Sequence, residues 1–194
     1  GQAGHARAWL DAAPDTRVVG LDRDRDALAV AGRRLEGYGS RARLLHADYR
    51  NAADLWTDLE LPAPDAVLLD LGLGSHQLQD AGRGFSFQGE GPLDMRFDTG
   101  APGPTAAEIL RQTPEPELER ILADYGEERH ARKLARALVR AREHRPLATT
   151  HELAELVRRT LARPGKPPRI DPATRTFQAL RIAVNRELEG LPEA

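Results

Sequence analysis

The stretch Ala66–Asp98, AVLLDLGLGSHQLQDAGRGFSFQGEGPLDMRFD, decides the reading of the fold. Val67, Leu68 and Leu69 form a continuous apolar run between turn formers, the pattern of a strand buried on both faces of a parallel sheet. Asp70 falls at its carboxyl end, the edge where open α/β sheets bind their ligands. An acid followed by Gly72, Gly74, Ser75 and Gln77 is therefore a candidate site. The plain alternative is an ordinary strand exit, because Asp and Gly favour turns for their own conformational reasons.

The residues before this stretch alternate helix and strand. Gly1-Gln2-Ala3-Gly4-His5 reads as a glycine-containing turn feeding a helix over Ala6–Ala13, a place where backbone N–H groups can meet a ligand. Arg17–Leu21 reads as a strand through Val18 and Val19, and Asp22 ends it. A carboxylate at such a strand end can accept two hydrogen bonds from a ribose diol. Asp22, Asp24 and Asp26 all precede a helix over Ala27–Leu35 and any of them can cap it; capping is assigned to Asp24 and the ribose to Asp22. A third strand over Ala42–Ala47 leads into Asp48 and Tyr49, and Asn51–Leu59 reads as a short helix.

After Asp98 the pattern turns helical. Thr105–Glu108 and Thr149–Glu152 are capping boxes, the second opening a helix over Glu152–Ala162. Between them lie helices over Pro116–Tyr125, stopped by Gly126, and over Glu127–Glu143. Ile121, Leu122, Leu134, Ala135, Leu138 and Val139 recur at helical spacing and predict a small bundle. Arg129, Arg132, Lys133, Arg136 and Arg140 form a basic stripe, either a solvated face or a set of phosphate contacts. Arg163–Asp171 is a proline-rich basic connector. A last helix is expected to start at Asp171-Pro172, to end at Gly190, and to bury Phe177, Leu180, Val184 and Leu188. Arg175 and Arg181 lie on its polar side, open to a site role or to structural ion pairs.

The chain of 194 residues can bury a sizeable core. It contains no cysteine, which excludes disulfides and thiolate metal sites and fits a reducing cytoplasm. Its six histidines are scattered without paired spacing beside acids, so no metal site is expected. No strained serine elbow surrounds Ser75, which argues against hydrolase chemistry. No apolar run approaches the roughly 20 residues needed to cross a bilayer. The net charge of −2 hides an asymmetry, because Arg129–Arg186 is dense in Arg and Lys whereas Asp11–Glu60 is mixed and acid-rich.

The string DLGLGSHQLQDAGRGFSFQGEGPLDMRFD resembles the central signature of the bacterial 16S ribosomal RNA (cytosine-N4)-methyltransferase family (RsmH/MraW), which usually reads DLGVSSxQLDDxxRGFSFxxxGPLDMRMD. Gly74, His76 and Phe97 depart from it where Ser, Pro and Met are usual. PATRTFQALRIAVNRELE is similar to the family form HPATRTFQAxRIxVNxEL, with Asp171 in place of His. The opening turn resembles the end of the family turn GxGGHS or GGAGHA, in which Ala3 stands where glycine is common.

The resemblance implies an α/β fold: a partial Rossmann-like class I S-adenosylmethionine methyltransferase sheet with an inserted all-helical domain. Residues 1–104 would form the N-terminal part of the methyltransferase domain, 105–170 the helical substrate-recognition domain, and 171–194 a return helix. The strand before the glycine turn and the sheet-completing strands after Ala194 are missing, so the chain reads as a fragment. S-adenosyl-L-methionine is the implied cofactor, with Ala3, Gly4, His5, Asp22, Tyr49, Asp70 and Gln77 as its contacts. Asp48 would accept from the adenine amino group and Tyr49, where Phe is frequent, would lie against the ring. Asp70 and Ser75 are the catalytic candidates, although Asp70 and Gln77 are the more secure as cofactor contacts.

The implied partner is 16S ribosomal RNA or the small ribosomal subunit, in the cytoplasm, with the oligomeric state open and a homodimer one option. Phe85 and Phe87 are either stacking partners for an extruded base or the core of their own loop. Two other functions stay open: a catalytically incomplete fragment that only binds RNA, and another Rossmann-type nucleotide-dependent enzyme.

Overall fold

The computed structural model describes residues 2–162 and 169–189. Residues 163–168 of the expected connector, and Gly190, lie outside them. The chain divides into two compact units, Gly1–Gly74 with Leu188–Ala194, and Ser75–Glu187.

The first unit is built on a parallel βαβ element. Strand β1 (Val18–Asp22) pairs with β2 (Ala42–His46) in a register that sets Val18 opposite Ala42 and Asp22 opposite His46. Parallel strands need a crossover, here helix α2 (Arg25–Leu35). Asp24 caps α2 by accepting from the amides of Asp26 and Ala27, as its short side chain before the first turn predicts. Ala27, Ala31 and Leu35, four residues apart, are its buried stripe. Helix α1 (Gly4–Ala12) precedes β1 and buries Leu10. A 3-10 turn over Tyr49–Asn51 and helix α3 (Ala52–Asp58) follow β2.

The strand expected over Val67–Leu69 does not form. Residues 66–71 have no strand geometry, and Val67, Leu68, Leu69 and Leu71 are 74%, 48%, 46% and 44% exposed. A run buried on both faces of a sheet needs hydrogen-bonded neighbours as well as apolar side chains. Among the described residues the sheet consists of β1 and β2 alone, so no neighbour pairs with Val67–Leu69.

The second unit is helical around one apolar core. Helix α4 (Ser75–Gln79) opens it, followed by α5 (Ala106–Gln112), α6 (Glu115–Asp124), α7 (Ala131–His144), α8 (Thr150–Leu161) and α9 (Ala173–Asn185). Both expected capping boxes are present, at Thr105 with Glu108 and at Thr149 with Glu152. Leu118, Leu122, Leu134, Leu138, Leu153, Val157 and Leu180 are buried to 1% exposure or less. At about 2 kcal/mol for each fully buried side chain, they supply much of the driving force.

Most helix ends lie within two residues of expectation, and two boundaries differ by about a turn. α7 starts at Ala131 rather than Glu127, because Glu127 takes the left-handed conformation at φ 49°. A Cβ on Gly126 would meet the Arg175 carbonyl at 2.6 Å, so the chain turns tightly against α9 before α7 begins. α9 ends at Asn185, and Arg186 takes the left-handed cap at φ 53°. Leu188 therefore leaves the expected buried stripe and is 47% exposed, while Phe177, Leu180 and Val184 stay in it.

The loop between α4 and α5 is tied to three helices. Leu93 donates to the Ala148 carbonyl and accepts from Ala107, Asp94 accepts from Ala106, and the Gly91 carbonyl accepts from Thr150. Asn185 clasps the loop from α9: its Nδ2 donates to the Met95 carbonyl at 2.7 Å and its Oδ1 accepts from the Phe97 amide at 2.8 Å. Met95 is fully buried and held at φ 63°.

Candidate functional site: strand ends and a basic groove

Asp22 and the turn after β2 lie side by side because the parallel register brings both strand ends to one edge. The Asp22 carbonyl accepts from Ala47 at 3.1 Å, extending the ladder by one rung. Its carboxylate Oδ1 accepts from the Asp24 amide at 2.9 Å. Asp48 accepts from the Arg50 amide and from its Nε at 3.0 Å, and Arg23 Nε lies 3.3 Å from its other oxygen. Burial pushes the Asp48 carboxyl up, but the Arg50 hydrogen bonds and the Arg23 charge outweigh it and hold the group below its ordinary range. Both Asp48 oxygens are thus engaged within the protein. The Tyr49 hydroxyl donates to the Glu189 carbonyl at 3.0 Å, fixing the ring after β2.

The turn before α1 carries the second group. Ala3 caps α1 in the left-handed conformation at φ 59°, which costs a residue with a Cβ about 1–2 kcal/mol. No atom lies within 4 Å of where a Cβ on Gly4 would stand, so the chain is open there. His5 Nδ1 and Asp70 Oδ2 are 3.1 Å apart, which joins the first helix turn to the residue after the apolar run. The structure thus brings together Asp22 with Tyr49 and His5 with Asp70 within the first unit. Ser75 and Gln77 belong to the second.

Ser75 is exposed at the start of α4, and Gln77 is buried at 5% exposure. Both ring nitrogens of His76 between them are shielded from solvent and have no hydrogen-bond partner among the described residues. Phe85 is buried with its ring 5.5 Å from Phe97, and Phe87 meets Phe177 edge-on at 5.0 Å. Phe85 thus belongs to the loop's own core, whereas Phe87, half-buried, packs on α9. Arg181 pairs with Glu187 at 2.8 Å, the structural ion pair expected as one option, while Arg175 donates to the Glu127 backbone carbonyl at 3.1 Å.

The basic stripe lies exposed on α7 and the turn before it. Arg129, Arg132, Lys133, Arg136 and Arg140 line a groove of about 640 Å³ that Thr160 of α8 closes on one side. Arg136 is 3.6 Å from Glu115; among the described residues no carboxylate lines the groove itself. Leu134, Ala135 and Leu138 on the opposite face of α7 are buried. Two cavity-lining groups escaped the sequence reading: the carboxamides of Gln79 and Gln88, around a cavity of about 510 Å³ beside Ser75. Gln79 ends a helix of five residues and Gln88 lies in the loop after it, so neither leaves a periodic signal.

A parallel βαβ element, with its two strand ends at one edge, makes this a mixed α/β protein. The chain belongs to the MraW methylase family, whose model matches residues 1–194. It is 52% identical over 194 residues to the "Ribosomal RNA small subunit methyltransferase H" of Syntrophotalea carbinolica. Proteins of the same name from Geobacter sp. (strain M21) and Streptomyces avermitilis are 46% and 45% identical over 194 residues. Each match takes in the whole chain but 62%, 62% and 61% of the relative, so the chain spans about three-fifths of the length of these curated relatives.

Proposed function

We propose that the protein transfers a methyl group from S-adenosyl-L-methionine to N4 of a cytidine in 16S ribosomal RNA, acting in the cytoplasm on that RNA or on the small subunit. In this reading β1 and β2 are part of a class I Rossmann-like sheet. Residues 105–170 are its inserted substrate-recognition domain, between 1–104 and 171–194 of the methyltransferase domain. The observation that carries the proposal is the register of β1 on β2, with Asp22 and Tyr49 at one strand edge, in a chain that its family's model matches from end to end.

The residues at hand fit the donor. Asp22, a half-buried carboxylate at a strand end, has the chemistry to accept from two ribose hydroxyls, and Tyr49 offers an aromatic face to adenine. Ala3, Gly4 and His5, with open space beside Gly4, and Asp70 complete the first unit's set that would hold it. When bound, the sulfonium supplies an electrophilic methyl group. The protein's own task is to hold the acceptor nitrogen about 3 Å away and in line. Cytosine N4 is a weak nucleophile because its lone pair is delocalised into the ring. A hydrogen-bond acceptor at its N–H returns density to nitrogen, a role for Asp70 or Ser75. The cations of the α7 groove suit the phosphates of the RNA.

Calorimetry with S-adenosylmethionine tests the reading. The protein should bind, and Asp22→Ala should raise Kd at least about tenfold, since a hydrogen bond to a charged group contributes about 1.5–3 kcal/mol. Absence of binding by the unaltered protein would overturn the donor assignment, and equal affinity in the variant would remove Asp22 from it.

A further inference from the structure

The groove on α7 is built differently from the other charged faces of the second unit. Arg111 stands 3.9 Å from Glu108, Arg120 3.7 Å from Glu117 and Arg158 2.8 Å from Glu155, the opposite-charge pairing by which a solvated helix face supports itself. On α7 the same spacing carries like charge. Arg132, Arg136 and Arg140 follow one another at four residues, with Arg129 and Lys133 beside them, and all five are exposed. Among the described residues only Arg136 of these five has an ion pair, with Glu115 at 3.6 Å. Like charges at this spacing destabilise a helix, and an occupant with its own negative charge relieves them.

The spacing and the lining narrow the kind of polyanion. The helical rise places Arg132, Arg136 and Arg140 along one line at steps of about 6 Å. Consecutive phosphates of a stacked A-form strand repeat at a similar interval, whereas an extended unpaired strand spreads them further apart. Sites for unpaired RNA combine cations with successive aromatic rings on which bases stack. Among the described residues no Phe, Tyr or Trp lines the groove, and the single imidazole of His130, at the start of α7, offers no succession of rings. Cations without such rings hold backbone, and base-paired RNA turns its backbone outward and its bases in. Thr160 of α8 adds a hydroxyl to the lining, able to donate to and accept from a ribose 2′-hydroxyl, a group that DNA lacks.

We propose that the α7 groove holds the phosphate backbone of one strand of a base-paired, A-form RNA segment, and that it reads helical geometry rather than sequence. The inference deepens the RNA reading of this groove and rests on it. Phosphate contacts fix position and orientation without carrying sequence information, so a groove of this kind seats the protein on a stem and leaves base choice to other residues. Every group it uses belongs to α7, the turn before it and α8, within the second unit.

The test is fluorescence anisotropy with the full chain, at one salt concentration, on a short blunt RNA duplex, one of its strands alone and a DNA duplex of the same sequence. The RNA duplex should bind about tenfold more tightly than either of the others, a difference of about 1.4 kcal/mol. An RNA duplex of unrelated sequence should match it. Arg132→Ala/Arg140→Ala should lose the preference, with circular dichroism verifying the fold. Arg111→Ala/Arg120→Ala, which removes the same charge from paired positions of the same unit, should keep it. Equal affinity for duplex and strand, equal affinity for RNA and DNA duplexes, dependence on sequence, or an equal loss in both double variants overturns the assignment. So does polyglutamate that competes as well as the duplex, the result expected of a site for an acidic protein. No arm contains S-adenosylmethionine, so a protein that keeps the duplex preference but fails to bind the donor counts against the methyltransferase reading alone.

Discussion

His5 and Asp70, 65 positions apart in the chain, meet at 3.1 Å through Nδ1 and Oδ2 while each stays about two-thirds exposed. An exposed pair of this kind adds little to stability, because solvent screens it and ordering two side chains costs entropy. Asp70→Asn and His5→Ala are therefore expected to leave Tm unchanged. Each should nonetheless weaken S-adenosylmethionine binding several-fold by calorimetry. A Tm that falls with unaltered binding would make the pair structural.

The α7 groove gives a salt-dependent signature. Arg132→Ala/Arg140→Ala removes two cations that line it. For single-stranded RNA the slope of log Kd against log salt should flatten by about 1.4, at about 0.7 per lost phosphate contact. An unaltered slope would leave the groove as plain surface.

Asn185 is 2% exposed and satisfies both Met95 and Phe97 through one side chain. Asn185→Leu strands a buried amide and a buried carbonyl, each costing about 1–3 kcal/mol, and urea unfolding should show a loss of about 2–4 kcal/mol. Asn185→Asp should also destabilise, because a carboxylate would face the Met95 carbonyl.

Asp171 supplies a pH test. Burial pushes its carboxyl up, but two hydrogen bonds from Arg158 and one from the Ala173 amide prevail and hold it below its ordinary value. A depressed carboxylate stabilises the fold above its unfolded pKa, about 3.9, and loses that contribution as pH falls through its folded value. Asp171→Asn should lower Tm at neutral pH, and the gap to the unaltered protein should close as the solution is taken below about pH 4. A gap of constant size down to acid would assign the loss to the cap alone.

What was legible in the sequence was local. The capping boxes at Thr105 and Thr149, and Asp24 before α2, are read correctly because the cap and its amides lie within three residues of each other. Ala3 stands where the resembled turn commonly has glycine, and the left-handed backbone there is the conformation that favours glycine. The failures are non-local. Nothing within Val67–Leu69 reveals whether another strand will pair with it. Nothing near Glu127 reveals that Gly126 must pass the Arg175 carbonyl before α7 can begin. For the site, Asp22 and Tyr49 come to one edge through pairing that periodicity foresees, whereas Gln79 and Gln88 come to line one cavity only through the packing of the loop.

The uncovered run from Val67 to Leu71 also governs how the chain can be handled. An exposed apolar segment invites a second molecule to pack on it, and the charges of Asp65 and Asp70 on either side of Val67–Leu69 oppose that clustering. Salt weakens those guards as it weakens every exposed charge. Ionic-strength titrations of this protein therefore belong at low protein concentration, with light scattering alongside, so that aggregation is not mistaken for a change in RNA affinity.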